Sequence, residues 1–240
     1  MADKPIKPTE NRKEITEFLK QVELTDNSLI KAGSYSGRLL FVMDATASRQ
    51  PTWDKACHLQ AKMFSAADKV GGLAVQLCYY RGFNEFESSP WFVDTAELSA
   101  LMARVQCLGG YTQIVKALRH AIQETRAKRI NAVVIVSDAM EEHVDELSNL
   151  AGQLGVLNTP IFAFQEGSDP IVTHAFMQMA HLSGGAFSSF NENSAQDLED
   201  LLAAVAVYAA GGRKALENFS SNISGTSSNT IKLLTQQLKR

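Results

Sequence analysis

Five oxygen-bearing side chains stand in three predicted loops of the chain. They are Asp44, Thr46, Ser48, Thr112 and Asp138. The first three form a D-x-T-x-S sequence after the apolar run 39–43, the fourth follows a Gly-Gly turn, and the fifth follows the β-branched run 131–137. Carboxylates and hydroxyls are hard oxygen donors, which suit Mg²⁺ better than the softer ligands that select zinc or copper. The pattern therefore predicts a divalent-metal site, with Mg²⁺ as the ion and Mn²⁺ or Ca²⁺ as alternatives.

Such a ligand set would leave the ion under-neutralised. Hydroxyls are neutral donors, and Mg²⁺ usually keeps several waters in its octahedral shell. If the hydroxyls of Thr46, Ser48 and Thr112 touch the ion while the two aspartates act partly through water, the ion keeps positive charge and an open position. A carboxylate from a partner protein can complete that shell, so the site favours binding over catalysis.

The elements that must position these side chains alternate along the chain. Apolar runs bounded by Gly and polar residues predict strands, and apolar residues at helical spacing predict helices between them. The predicted strands cover residues 38–43, 73–80, 86–93, 131–137, 160–165 and 186–190. The predicted helices cover residues 13–24, 52–69, 95–106, 113–128, 143–155, 170–183 and 194–210. This alternation predicts an α/β fold, a doubly wound, Rossmann-like, mostly parallel sheet flanked by helices, whose ligands bind at the carboxyl ends of the strands.

Residues 37–211 resemble the von Willebrand factor A-type (VWA) domain. The metal-ion-dependent adhesion site (MIDAS) of that family reads D-x-S-x-S, then Thr after a Gly-Gly turn, then Asp after a buried strand. The five residues named above match it in order. The resemblance implies a divalent ion bound by the first-loop hydroxyls, with Thr112 binding directly or through water and the aspartates largely through water. Thr46 replaces the usual Ser, Tyr111 is inserted before Thr112, and Ala139 replaces the usual Gly, but no oxygen ligand is lost.

The resemblance also bears on partners. Members of the family often act with an AAA+ ATPase or beside tellurium-resistance and stress proteins, so it implies an adaptor role for a non-catalytic module. Two other functions stay open. One is a phosphatase-like Mg²⁺-dependent hydrolase that uses Asp44, although Thr46 stands where haloacid dehalogenase-like enzymes carry a second carboxylate. The other is a structural subunit with a vestigial metal site.

Composition and charge exclude several other classes. The 240 residues carry a net charge of −3 and contain no basic stripe, so we expect no nucleic-acid partner. The three cysteines form no C-x-x-C pair, which favours a reducing compartment. Neither a signal peptide nor an apolar run long enough to span a membrane is present, and we expect a cytoplasmic protein. The sequence makes no prediction of the oligomeric state.

The ends of the chain suggest three segments. We predict a lead and short helix over 1–36, the VWA-like domain over 37–211, and a linker with a short amphipathic segment over 212–240. Residues 219–230 are rich in Ser, Asn, Thr and Gly, which favours a linker. The amphipathic segment 230–240 either packs back onto the domain or binds a partner groove or an acidic membrane.

Two acidic residues, Glu141 and Glu142, follow Asp138 closely. They could add negative potential near the ion. We favour the alternative that they are the solvated start of the next helix, where acidic side chains complement the positive end of the helix dipole.

Overall fold

The sheet of this protein has six strands in the order β3-β2-β1-β4-β5-β6. The computed structural model describes residues 15–17, 36–190, 195–222 and 226–238. The strands are β1 (Gly37–Asp44), β2 (Leu73–Arg81), β3 (Glu85–Phe92), β4 (Ala132–Ser137), β5 (Ile161–Glu166) and β6 (Ala186–Phe190). The helices are α1 (Gln50–Asp68), α2 (Thr95–Met102), α3 (Ile114–Ala127), α4 (Val144–Val156), α5 (Pro170–Ser183), α6 (Ala195–Asn222) and α7 (Thr226–Gln237).

All neighbouring strands pair in parallel except β3, which runs antiparallel to β2 at one edge. Strand β1 lies in the middle of the sheet, between β2 and β4, and every one of its residues is buried. Alternate residues face opposite layers: Phe41 packs in the core that contains side chains of α1, α2, α6 and α7, and Val42 packs in the core that contains side chains of α3, α4 and α5. A strand covered on both faces reads as a continuous apolar run, which is what the sequence shows.

The observed elements confirm the predicted fold class. Each strand and helix predicted between residues 38 and 210 is present, with bounds that differ by a few residues. Among the helices that precede α6, the largest difference at a helix end is in α2, which stops at Met102 instead of residue 106. The predicted helix 13–24 lies mostly outside the described residues, where Ile15 is buried.

The C-terminal region differs from the predicted linker. Helix α6 is interrupted at Gly212, whose φ of 72° is one that glycine adopts without strain, so the break predicted near residue 210 is confirmed. A second helical segment follows and reaches Asn222, where the sequence predicts a linker. Residues 219–222 therefore lie in α6, and residues 226–230 begin α7. The polar composition that favoured a linker belongs partly to the solvent-exposed faces of these helices. The division into domains at residue 211 stays a prediction.

Helix α7 packs back onto the domain, which was one of the two alternatives for the amphipathic segment. Its apolar residues Ile231 and Leu234 are buried in the core. The side-chain amide of Gln237 accepts from Phe187 N at 2.9 Å and donates to Phe187 O at 3.0 Å. Gln237 thus pairs with the backbone of β6 as another strand would, which protects that edge of the sheet.

None of the helices in the described ranges is long and apolar enough to cross a membrane.

Candidate metal centre

The first carboxylate of the candidate site is buried and held by two donors. Asp44 is the last residue of β1 and is 1% exposed. The pairing of β1 with β4 puts Met43 opposite Val136, so the next residues, Asp44 and Ser137, are neighbours. The hydroxyl of Ser137 donates to Asp44 Oδ2 at 2.7 Å, and the backbone N–H of Thr46 donates to Asp44 Oδ1 at 2.8 Å.

Burial is the largest influence on the pKa of this carboxyl. It raises the pKa of Asp44 above the usual value, because the charged form loses its hydration. The hydrogen bonds from Ser137 and Thr46 lower the pKa and offset part of that rise, while the negative charge of Asp138 raises it further. A cation bound nearby would favour the ionised carboxylate, so Asp44 is suited to a site that holds positive charge.

Three more predicted ligands form a chain of polar contacts above Asp44. Thr46 Oγ1 lies 3.4 Å from Ser48 Oγ, and Ser48 Oγ donates to Asp138 Oδ2 at 3.1 Å. Neighbouring ligands of an octahedral Mg²⁺ ion with bonds of 2.0–2.1 Å lie about 3 Å apart. The two hydroxyls are therefore spaced as ligands of one ion can be. We call Asp44, Thr46, Ser48 and Asp138 the oxygen cluster.

One oxygen of this cluster has no donor. Asp138 Oδ1 is buried, and within the described residues it has no hydrogen-bond partner. A buried carboxylate oxygen without a partner is costly and calls for an unseen water or ion. The unsatisfied oxygen beside two hydroxyls fits a hard cation.

The remaining predicted ligand, Thr112, is held by the loop that follows Asp138. Its hydroxyl donates to Glu142 Oε2 at 2.6 Å and accepts from Glu141 N at 3.0 Å. Its backbone N–H donates to Glu141 Oε2 at 2.7 Å. Glu141 Oε2 lies 2.5 Å from the same hydroxyl. A hydroxyl has one proton and two lone pairs, so these three contacts surround it, and Thr112 would have to exchange one of them to bind a metal.

These contacts change the interpretation of the acidic pair. Glu142 Oε1 accepts from Ile114 N, and from Val115 N at 3.3 Å, at the first turn of α3. The sequence favours the solvated start of the following helix for Glu141 and Glu142, and the structure corrects this prediction. Glu141 is exposed, but both carboxylates bind Thr112, and Glu142 caps the positive end of α3, a helix that precedes them in the chain. The sequence did not predict the contact between Glu142 and α3, because the two partners are 27 or more residues apart in the chain.

The structure thus joins the five predicted residues in two groups. The oxygen cluster is linked by direct hydrogen bonds or through Ser137, whereas the described hydrogen bonds of Thr112 go to Glu141 and Glu142. Over the described ranges, no group of three or more His, Cys, Asp or Glu side chains is placed to hold a metal ion. The site therefore relies on hydroxyls for most of its donors.

Two further residues at the candidate site were not predicted from the sequence. Ser137 was treated as the end of a strand, although a hydroxyl beside the Asp138 carboxylate in an apolar run was a usable signal. Arg49 follows the D-x-T-x-S sequence directly and is 3% exposed. Its guanidinium forms an ion pair with Glu166 and lies 3.8 Å from Asp138 Oδ2. Thr52 donates a hydrogen bond to the same Glu166 carboxylate.

A cleft of about 700 Å³ opens beside the oxygen cluster. Its walls include Ser48 and Asp138 on one side and residues of β5, β6 and the start of α6 on the other. The cleft lies at the carboxyl edge of the sheet, where α/β proteins bind ligands. Ser48 and Asp138 of the oxygen cluster are therefore open to this cleft.

Solved structures share this fold. The von Willebrand factor type A protein from Catenulispora acidiphila has a TM-score of 0.56 at 16% identity, over 71% of this chain and 42% of that chain. The SpRpn10 VWA domain has a TM-score of 0.53 at 14% identity, over 73% of this chain and 97% of that chain. The ArnB paralog VWA2 from Sulfolobus acidocaldarius has a TM-score of 0.50 at 14% identity, over 72% of this chain and 46% of that chain.

The protein therefore has a VWA-like fold. At these identities the likeness shows the fold alone, and the chain spans about 42% of the length of the Catenulispora protein. No protein-family model matches the sequence, and no curated protein does.

Proposed function

We propose that this protein is a non-catalytic interaction module that holds Mg²⁺ at a MIDAS. The residues that would hold the ion are Asp44, Thr46, Ser48, Thr112 and Asp138. The bound ion would supply a positive charge with an open position, and an acidic side chain of a partner protein would fill that position. Mn²⁺ and Ca²⁺ have the same preference for oxygen donors and are alternative ions.

The observation that carries this proposal is the unsatisfied oxygen of Asp138. Asp138 Oδ1 is buried without a donor, and its second oxygen is bonded to Ser48, itself 3.4 Å from the Thr46 hydroxyl. Two carboxylates and two hydroxyls are thus gathered at the carboxyl edge of the sheet. A cation there would satisfy the free oxygen and offset the repulsion between Asp44 and Asp138.

Burial of Asp44 favours binding over hydrolysis. A nucleophilic carboxylate must reach its substrate, yet Asp44 is 1% exposed and both of its oxygens accept hydrogen bonds. Thr46 cannot act as the second carboxylate that the phosphatase-like alternative needs. An AAA+ ATPase or a stress or tellurium-resistance system is the partner that the resemblance to VWA proteins suggests, and we keep it as a hypothesis.

Thermal unfolding with EDTA and then with added Mg²⁺ or Mn²⁺ tests the metal site. A ligand that binds only the native state stabilises it by about 2.7 kcal/mol when its free concentration is about a hundred times Kd. We expect the melting temperature of the wild type to rise with metal and that of Asp138→Asn to stay unchanged. Asn keeps the size of the side chain but removes its charge.

Asp169→Asn is the matched control, because Asp169 is an exposed acidic residue at the same edge of the sheet and its capping role is one that Asn can fill. This variant should respond to metal as the wild type does. If metal shifted the melting temperatures of the wild type and Asp138→Asn equally, or shifted none of the three proteins, the result would support a vestigial site instead.

A further inference from the structure

Two large aromatic side chains are exposed together on this protein. Phe83, in the β2–β3 turn, is 78% exposed, and Tyr111, in the loop before α3, is 56% exposed. Their ring centroids lie 5.7 Å apart in an edge-to-face arrangement. Exposed aromatic pairs of this kind mark binding surfaces more often than isolated apolar residues do, and aromatic residues dominate the energetic centres of interfaces. We call Phe83 and Tyr111 the aromatic pair.

Backbone contacts hold the aromatic pair in place. The N–H of Tyr111 donates to Gly82 O at 3.1 Å, and the N–H of Gly82 donates to Leu108 O at 3.4 Å. A Cβ atom on Gly110 would lie 1.8 Å from Gly82 O, so only glycine permits this approach of the two loops. The two rings are therefore presented by loops that are fixed to each other, which lowers the entropy lost when a partner binds.

The aromatic pair adjoins the proposed metal site. Tyr111 directly precedes Thr112, and consecutive Cα atoms are about 3.8 Å apart. The loop that carries Tyr111 is also bonded to the first ligand loop, because Leu108 N donates to Ala45 O at 3.0 Å. A bound segment that placed its carboxylate on the ion would thus have the aromatic pair within its reach.

We infer that the aromatic pair recognises a large apolar side chain that stands close to the metal-binding acidic residue of the partner. This inference rests on the proposed function, because the acidic residue is located by the ion. An extended segment advances about 3.3 Å per residue. The apolar residue should therefore lie close in sequence to the acidic one, since the loops that carry Tyr111 and the first ligands are bonded to each other. The partner is thereby a protein segment of defined chemistry: one carboxylate with a neighbouring Phe, Leu, Ile, Met, Tyr or Trp.

Selection from a displayed library of random linear peptides in Mg²⁺ tests the inference. The immobilised proteins are the wild type, the double variant Phe83→Ala/Tyr111→Ala, Asp44→Asn and Val156→Ala. Val156 is the matched control, since it is an exposed apolar residue, 84% accessible, at the end of α4. Because all three apolar side chains are exposed, their replacement should leave the melting temperature unchanged.

We expect the wild type and Val156→Ala to enrich peptides with Asp or Glu next to a large apolar residue. The double variant should enrich acidic peptides without the apolar neighbour, and Asp44→Asn should enrich neither. An enriched peptide should bind the double variant about tenfold more weakly than the wild type in a fluorescence anisotropy titration, as the loss of one hot-spot contact predicts.

The outcomes separate this inference from the proposed function. Acidic peptides without an apolar preference, equally enriched by wild type and double variant, would overturn the role of the aromatic pair and leave the metal site intact. Apolar peptides that bind the pair equally in EDTA would overturn the link to the ion. A library that shows no enrichment would overturn both.

Discussion

Two polar clusters lie side by side at the carboxyl edge of the sheet, and they differ in how their carboxylates are neutralised. Arg49 and Glu166 form a buried ion pair, and Thr52 adds a hydrogen bond to the same carboxylate. The oxygen cluster has two carboxylates and two hydroxyls, and one of its oxygens, Asp138 Oδ1, lacks a donor. The first cluster contains a cation for its carboxylate, and that guanidinium also lies 3.8 Å from Asp138 Oδ2, whereas the second cluster has only acceptors and hydroxyls of its own. The comparison favours a structural role for the first cluster and supports the ligand-binding role that we propose for the second.

Breaking the ion pair should have the largest effect on stability. Arg49→Ala leaves Glu166 buried without its cation, and removing one partner of a buried pair costs about 3–5 kcal/mol. Urea unfolding in EDTA measures this loss. Arg119→Ala is the control, because its pair with Glu146 is largely exposed and contributes below about 1 kcal/mol.

The double variant Arg49→Met/Glu166→Gln removes both charges together. It should recover much of the stability lost in Arg49→Ala, because no charge is then left buried alone. A loss in Arg49→Ala as small as that in Arg119→Ala would contradict the structural role of the pair.

Removing the donor behind Asp44 should have a smaller effect. Ser137→Ala takes away one of the two hydrogen bonds to a buried carboxylate, which costs about 1–3 kcal/mol. The loss should depend on pH. Because burial raises the pKa of Asp44, its favourable contribution in the metal-free protein is complete below the unfolded pKa and is lost as pH rises through the folded pKa.

Ser137→Ala should raise the pKa of Asp44 further, since that hydrogen bond lowers it. The difference between wild type and variant should therefore be small at acidic pH and grow toward neutral pH in urea unfolding with EDTA. Ser189→Ala, an exposed serine at the end of β6, is the control. A difference that does not change between pH 4 and 7 would count against an ionised Asp44 in this environment.

The sequence allowed most of the fold to be predicted, because the strands are buried on both faces and the helices are amphipathic. The β1 run and its terminal Asp44 could be read directly, and the alternation placed Asp138 at the same edge. The helical segment of α6 beyond Gly212 could not be predicted in the same way. A Gly-Gly pair usually ends a helix, and the packing of Leu216 and Ile231 in the core, which stabilises the helices beyond Gly212, depends on tertiary contacts.

The residue types of the site could be predicted from the sequence, but the hydrogen bonds and ion pairs between them could not. The order of the five oxygens is local information, whereas the contacts of Thr112 with Glu141 and Glu142 join residues about 30 positions apart. The ion pair of Arg49 could not be predicted either, because its partner Glu166 lies on a strand far along the chain. Contacts of this range are set by the order of strands in the sheet, so a single sequence does not specify them.

The acidic cap of α3 should give the smallest effect. Glu142→Gln keeps an acceptor oxygen for Ile114 N but removes the negative charge from the positive end of the helix, which should cost about 0.3–1 kcal/mol. Urea unfolding measures the change, and Glu217→Gln on the surface of α6 is the comparison. An unchanged stability would show that the carboxylate acts on Thr112 alone.

The most direct test of the central claim is an anomalous difference map from crystals grown with Mn²⁺. Our account predicts a single strong peak in contact with the hydroxyl oxygens of Thr46 and Ser48, beside Asp138 Oδ1, at the bond lengths of about 2.1 Å typical of small hard cations. The same crystals of Asp138→Asn should show no peak there. A map with no peak at the oxygen cluster, or with its peak at Glu166, would contradict the assignment of the metal site.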